Sequence, residues 1–153
     1  MPVLLVLVMG VLDAGLLMFS VGTARYAAAE GSRVAAQLGN VSGTDAQILQ
    51  TIRGTVNGTQ LFSVTEIDIQ KLIQDAQGNL TPDPARLNRY ALDGTAMGPL
   101  TYPASGRNVG NGTSDFIGVT IKYTYTWKAG FFAPLGPLKT TAVSDVRLEP
   151  QSY

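Results

Sequence analysis

Along this chain the spacing of apolar residues changes character three times, and each change marks an element. Residues 3–21 are almost continuously apolar, broken only by Asp13, Ser20 and the small residues Gly10, Ala14 and Gly15. A run of this length is enough to cross a hydrocarbon layer of ~30 Å as a helix. From 23 to 38 the residues become Ala-rich and amphipathic (TARYAAAEGSRVAAQL). Nothing but isolated glycines such as Gly22 separates the halves, and each costs about 1 kcal/mol against Ala without forbidding a helix. The pattern predicts one rod from Met1 to Leu38, greasy at first and then a water-side stalk.

After a turn-like NVSGTD stretch, Thr44 with Gln47 three residues on has the form of a capping box. Ala46, Leu49, Ile52, Arg53 and Val56 then follow at roughly helical spacing, and Asn57-Gly58 is a terminator. This short helix is expected to dock its Leu49, Ile52 and Val56 face on the head. From 62 to 73 the period moves toward two, with Thr65, Ile67, Ile69, Lys71 and Ile73 on one side and Glu66, Asp68 and Gln70 on the other. Gln77-Gly78-Asn79 is a turn, and Pro82 is expected to end any returning strand quickly. Residues 82–115 read as a long surface loop anchored by Leu87, Tyr90, Leu92 and Tyr102.

The clearest strand is 116–128. Ile117, Val119, Ile121, Tyr123, Tyr125 and Trp127 alternate with Gly118, Thr120, Lys122, Thr124, Thr126 and Lys128. One apolar and one polar face is the pattern of an antiparallel sheet covered on one side. The Ala-rich stalk is the simplest cover, since small side chains there admit large aromatics. After the loop AGFFAPLGP, Leu138, Ala142, Val146 and Leu148 repeat the alternation, and the two strands should pair as a hairpin. The reading is an α+β fold: a long N-terminal transmembrane and stalk helix packed on a small antiparallel sheet of three or four strands. The expected division is 1–22 transmembrane helix, 23–39 stalk and 40–153 α+β head.

Composition narrows the function. The 153 residues carry 11 basic and 11 acidic side chains, so no basic field for nucleic acid exists. There is no Cys and no His, which removes disulfides, thiol nucleophiles, most zinc sites and the commonest general base. Glu66 and Asp68 are expected to be solvated rather than an acid–base pair, and the glycines of 106–112 do not follow a strong strand as a phosphate loop requires. No catalytic, cofactor-binding or metal-binding residue is proposed, and no small-molecule substrate is implied. Sequons at Asn40, Asn57, Asn79 and Asn111 are common by chance in so Gly/Thr-rich a chain. A cleaved signal with Ala27-Ala28-Ala29 as its site competes for the N-terminus, but the apolar run is long for a signal and no basic region precedes it. A soluble fold around a buried central helix would need more chain than remains.

Two elements point to a family. Pro2, Gly10, Asp13 and Gly15, followed by Ala27, Ala28, Glu30, Gly31 and Arg33, resemble the N-terminal helix of TadE-like proteins. These are minor pilins or pseudopilins of tight-adherence (Tad) pili, in the type IV filament superfamily. The Tyr-rich strand, the aromatic/Pro loop and the final Val-Arg-Leu-Glu are similar too. The resemblance implies a pilin-like structural protein with other pilins and pseudopilins, the Tad inner-membrane platform and membrane lipid as partners. It implies a single-pass protein of the cytoplasmic membrane with an extracytoplasmic C-terminal head, open to incorporation in an extracellular pilus. Arg25 and Arg33, read by the positive-inside rule alone, would put the head on the other side. The family's basic leader, cleavage site and Glu-Phe pair are not in the sequence, so the start is expected to be truncated or misassigned, or else the member dispenses with processing. The alternative function is a membrane-anchored binding or adhesive module independent of pili.

Interaction residues follow from this reading. A carboxylate inside a spanning segment is a functional candidate by default, so Asp13 is expected to be buried against a partner helix and paired with a cation or amide there. Gly10 and Gly15 would let that helix approach closely. Phe131 and Phe132, at the tip of the last hairpin, are either core or a contact to a neighbouring pilin or the bilayer surface.

Overall fold

In a computed structural model, which describes residues 2–110 and 112–150, two helices pack on one four-stranded sheet. Met1 and the sequon residue Asn111 lie outside the described residues. Helix α1 runs Pro2–Leu38 without interruption and α2 runs Thr44–Val56. The strands are β1 (Phe62–Gln74), β2 (Leu80–Tyr90), β3 (Phe116–Tyr125) and β4 (Leu138–Arg147). All pairs are antiparallel, in the order β2-β1-β3-β4. The α+β, pilin-like architecture expected from the sequence is the one observed, and β3 and β4 form the expected hairpin, with Tyr125 opposite Leu138.

The core lies between the small-residue face of α1 and the apolar face of the sheet. Ala24, Ala27, Ala28 and Ala35 are fully buried in one cluster with Ile67, Ile69, Ile117, Val119, Ile121 and Tyr123. The alanines recur at helical spacing, so one stripe meets the strands, and large side chains of β3 occupy the room that alanines leave. Burying each of these β3 residues is worth about 1.5–3 kcal/mol. Ser32 and Ser144 share a hydrogen bond of 2.7 Å between α1 and β4, and the Glu149 N–H donates to Ala36 O at 3.1 Å, tying the chain's last part to the stalk. Among the described residues α1 is the one helix long and apolar enough to cross a membrane.

Helix α2 docks on the stalk itself. Gly31 is the point of closest approach: a Cβ there would stand 3.0 Å from Ile52 Cδ1 and Cγ1 and 3.4 Å from Ile48 Cγ2. Its start differs from the capping box expected at Thr44. The N-cap is Gly43, at φ 84°, a left-handed conformation that only glycine adopts without strain. Thr44 is already the first helical residue, and its hydroxyl donates back to Val41 O at 2.6 Å. Gly39 has satisfied the end of α1 four residues earlier, so the connection is too tight for a side-chain cap.

Two further expectations are corrected. Pro82 does not end the returning strand: β2 continues to Tyr90, because it is an edge strand where a missing N–H can face outward. Residues 83–86 bulge away opposite Lys71, between the Leu72–Pro82 and Gln70–Leu87 pairs. In β1 the face assignment holds for Ile67 and Ile69 only. A bulge between Val64 and Glu66 turns Val64 to the core and leaves Thr65 exposed. Ile73 is 49% exposed, because the helical layer does not reach that end of the sheet, whereas Leu72 is buried on the opposite face against Gly118.

The loop after β2 is not a surface loop throughout, because a buried polar network folds it onto α2 and β1. Asp45 of α2 accepts from Asn88 and Tyr90, each at 2.8 Å, and pairs with the fully buried Arg107, which also stacks on Tyr102. Asp115 accepts from Lys71 Nζ (2.6 Å), Tyr102 OH (3.0 Å) and the Asn108 N–H (3.0 Å).

Substituting Gly31 by Ala should lower stability by about 1 kcal/mol, since overpacking costs about 1–3 kcal/mol against a helix-propensity gain of about 1 kcal/mol. In an Ile52→Ala background, where the opposing atoms are gone, the same substitution should stabilise. Thermal melts of the wild type and the three variants in detergent check the reversal of sign.

Burial alone would raise the Asp115 carboxyl, but the Lys71 ammonium, the Asn108 N–H and the Tyr102 hydroxyl outweigh it and hold it below the usual carboxylate range. A depressed folded-state pKa stabilises above the unfolded value of about 3.9 and is lost as pH falls through the folded one. The fold should therefore weaken below about pH 4, and Lys71→Met should reduce that acid dependence in denaturant titrations.

Candidate functional site

Asp13 projects from the face of α1 that continues the buried stripe of Ser20, Ala24, Ala27 and Ala28. Its partner is the loop between β3 and β4. The carboxylate accepts hydrogen bonds from the backbone N–H groups of Lys128 (3.1 Å), Ala129 (2.7 Å) and Phe132 (3.2 Å). Local geometry makes this possible: Gly130 sits at φ 87°, turning the chain so that amides on both sides of it aim at one point. An ionised carboxylate is acceptor-only and can take several donors, so three otherwise orphaned amides and one buried charge satisfy each other.

One turn before Asp13, Gly10 makes room for the same loop. A Cβ at Gly10 would be 3.3 Å from Phe131 Cδ1, so the aromatic ring lies on bare helix backbone. From Phe131 an aromatic chain leads back into the sheet: Phe131–Phe132, Phe132–Trp127 and Trp127–Tyr125 centroids are 4.7, 5.0 and 5.3 Å apart. The loop is also braced internally, with Trp127 Nε1 donating to Gly136 O at 2.8 Å.

The structure thus brings together four of the five interaction candidates: Asp13, Gly10, Phe131 and Phe132. It does so within one chain. The sequence leads one to expect Asp13's partner on another helix, whereas here it is the backbone of the head. Gly15 stands apart, since a Cβ there would meet nothing within 4 Å. The two phenylalanines divide between the expected alternatives, Phe132 half-buried and Phe131 41% exposed. Leu135, 74% exposed at the same tip, was not among the candidates. Its apolar neighbours in AGFFAPLGP were the available signal.

Away from this site, Asp68 is buried rather than solvated, which corrects the expectation for the outer face of β1. Lys122 lies between Asp68 (2.8 Å) and Glu66 (2.5 Å). Burial raises the Asp68 carboxyl, while the Lys122 hydrogen bond lowers that of Glu66. This is an ion cluster that braces three strands, Arg89 of β2 standing 4.0 Å from Glu66. Among the described residues no group of three or more acidic side chains is placed to hold a metal ion.

Replacing Asp13 by Leu should leave the sheet intact but release the loop. Hydrogen exchange at the amides of Lys128, Ala129 and Phe132 should accelerate in Asp13→Leu and only in part in Asp13→Asn, which keeps one acceptor oxygen. Unchanged protection in Asp13→Leu would show that the three bonds do not hold the loop.

No curated protein and no solved structure matches the chain. Residues 1–33 match the family described as TadE-like protein. The matched segment lies in the helix that carries Gly10, Asp13, Ala27, Ala28, Glu30, Gly31 and Arg33, so over these residues the chain is similar to TadE-like proteins.

Proposed function

We propose that the protein is a minor pilin- or pseudopilin-like structural component of a Tad pilus assembly or secretion system, acting in pilus biogenesis and adhesion without catalysis of its own. In this reading α1 anchors it in the cytoplasmic membrane with the head outside, and other pilins, pseudopilins and the membrane platform are its partners. The observation that carries the reading is a coincidence of place. The TadE-like match falls on a helix whose inner face is packed by the head and whose outer face is left bare. Val3 to Val8, Val11, Leu12, Met18 and Phe19 are each between 47% and 76% exposed, a surface that calls for lipid or for neighbouring helices. Gly15 interrupts that outer face with an open notch of the kind through which helices approach closely.

Gly15→Leu fills the notch without touching the fold, so it should leave the protein at normal membrane levels while reducing piliation. Deleting the gene should abolish or strongly reduce pili, with wild-type complementation restoring them. Pili unchanged in number and length after deletion would refute the role, and the presence of a secretion ATPase and two multi-spanning platform proteins encoded nearby is the quickest independent check.

A further inference from the structure

The loop Asp13 holds is itself apolar at its exposed tip. Phe131 is 41% and Leu135 74% exposed, and Leu138 at the start of β4 is 39% exposed. These side chains do not form an isolated patch. Phe131 lies on Gly10, and a Cβ at Gly130 would stand 3.9 Å from Met9 Cε, so the tip is continuous with the apolar surface of α1 from Val3 to Leu12. Asp13 lies eight residues before Val21, roughly 12 Å along the helix axis at about 1.5 Å per residue. If residues 3–21 fill the hydrocarbon layer, the loop enters it alongside them.

Resting on the membrane-anchored reading of α1, we propose that the β3–β4 loop is a second membrane-embedded element, inserted in the bilayer beside the spanning helix. Non-helical backbone at membrane depth is tolerated where it packs on protein and its polar groups find partners. The loop packs on α1 at Gly10 and pairs part of its backbone. Asp13 takes the amides of Lys128, Ala129 and Phe132. Ala133, Leu135 and Gly136 donate within the loop to Gly130, Phe132 and Ala133, and Pro134 and Pro137 have no N–H to satisfy. Exposed Lys128 and Lys139 flank the apolar tip, where long cationic side chains reach back to lipid phosphates. In this arrangement Asp13 satisfies three of the loop's amides, and the loop in turn shields Asp13 from lipid.

Trp127, the single tryptophan, stands at the base of the loop and reports on it directly. The full chain is reconstituted in phosphatidylcholine/phosphatidylglycerol vesicles, with the phosphatidylcholine either plain or brominated at mid-chain. Brominated lipid should remove most of the Trp127 emission while aqueous acrylamide removes little. Leu135→Asp, at a side chain that is 74% exposed, should reverse both effects. Carbonate extraction separates the possible failures. Release of the protein would overturn the anchored reading and the loop insertion together. Retention with Trp127 quenched by acrylamide and not by brominated lipid would overturn the insertion alone. A tryptophan shielded from both quenchers overturns it as well, and loss of that shielding on dilution with lipid would identify a neighbouring copy as the cover.

Discussion

The fold depends on how closely a helix can approach a sheet. A helix carrying large residues would stand off from β3 and leave its isoleucines and tyrosines without contacts. Alanines at 24, 27, 28 and 35, with Gly31 in the same stripe, bring the α1 backbone near enough for Ile117, Val119, Ile121 and Tyr123 to fill the gap from the other side. The interior has to be filled at crystalline density, so the bulk absent from the helix must be supplied by the strand. The same stripe explains why α2 packs where it does: bare backbone at Gly31 accepts Ile52 and Ile48, while Gly10, Gly15 and Gly22 of the same helix are approached less closely.

A small head with one apolar layer has little interior to spend on loops, and this one closes its long connection with polar chemistry. Arg107 is wholly buried on Asp45 and Tyr102, and Asp115 gathers Lys71, Tyr102 and the Asn108 amide. Buried charges of this kind gain little over an apolar core, but breaking one partner leaves an uncompensated charge, which makes them geometrically demanding. They specify one arrangement of the connection between β2 and β3 against α2, where apolar anchors alone would tolerate several.

Asp13 answers the same constraint at the other end of the molecule. A carboxylate in an apolar helix and a run of free amides in a hairpin loop are each unfavourable in a low-dielectric setting. Set against one another they form a clasp that joins the N-terminal half of α1 to the head. The head therefore does not begin where the stalk does: on one side it covers the helix down to Gly10, while the opposite side stays bare from Val3 to Phe19.

Elements whose period is set by one dominant face were legible in the residues. The unbroken α1, the β3 alternation and its hairpin with β4, and the Ala-rich cover all follow from local spacing, because burial on a single side imposes a period of 3.6 or 2. Asp13 and Gly10 stood out as candidates for a similar reason, a polar or small residue against a uniform apolar background. What local spacing could not decide is where a contact depends on residues far apart in sequence. Strand β2 survives two prolines because it lies at an edge, a fact of sheet order. Gly43 rather than Thr44 caps α2 because α1 ends so close by. Asp68 is buried because Lys122 lies across it, and Ile73 is exposed because the helical layer stops short. Above all, Asp13 finds its partners 115 to 119 residues away, in backbone amides that no side-chain pattern encodes. Only the folded chain, by bringing the β3–β4 turn onto the face of α1 that Gly10 leaves open beside Asp13, could supply them.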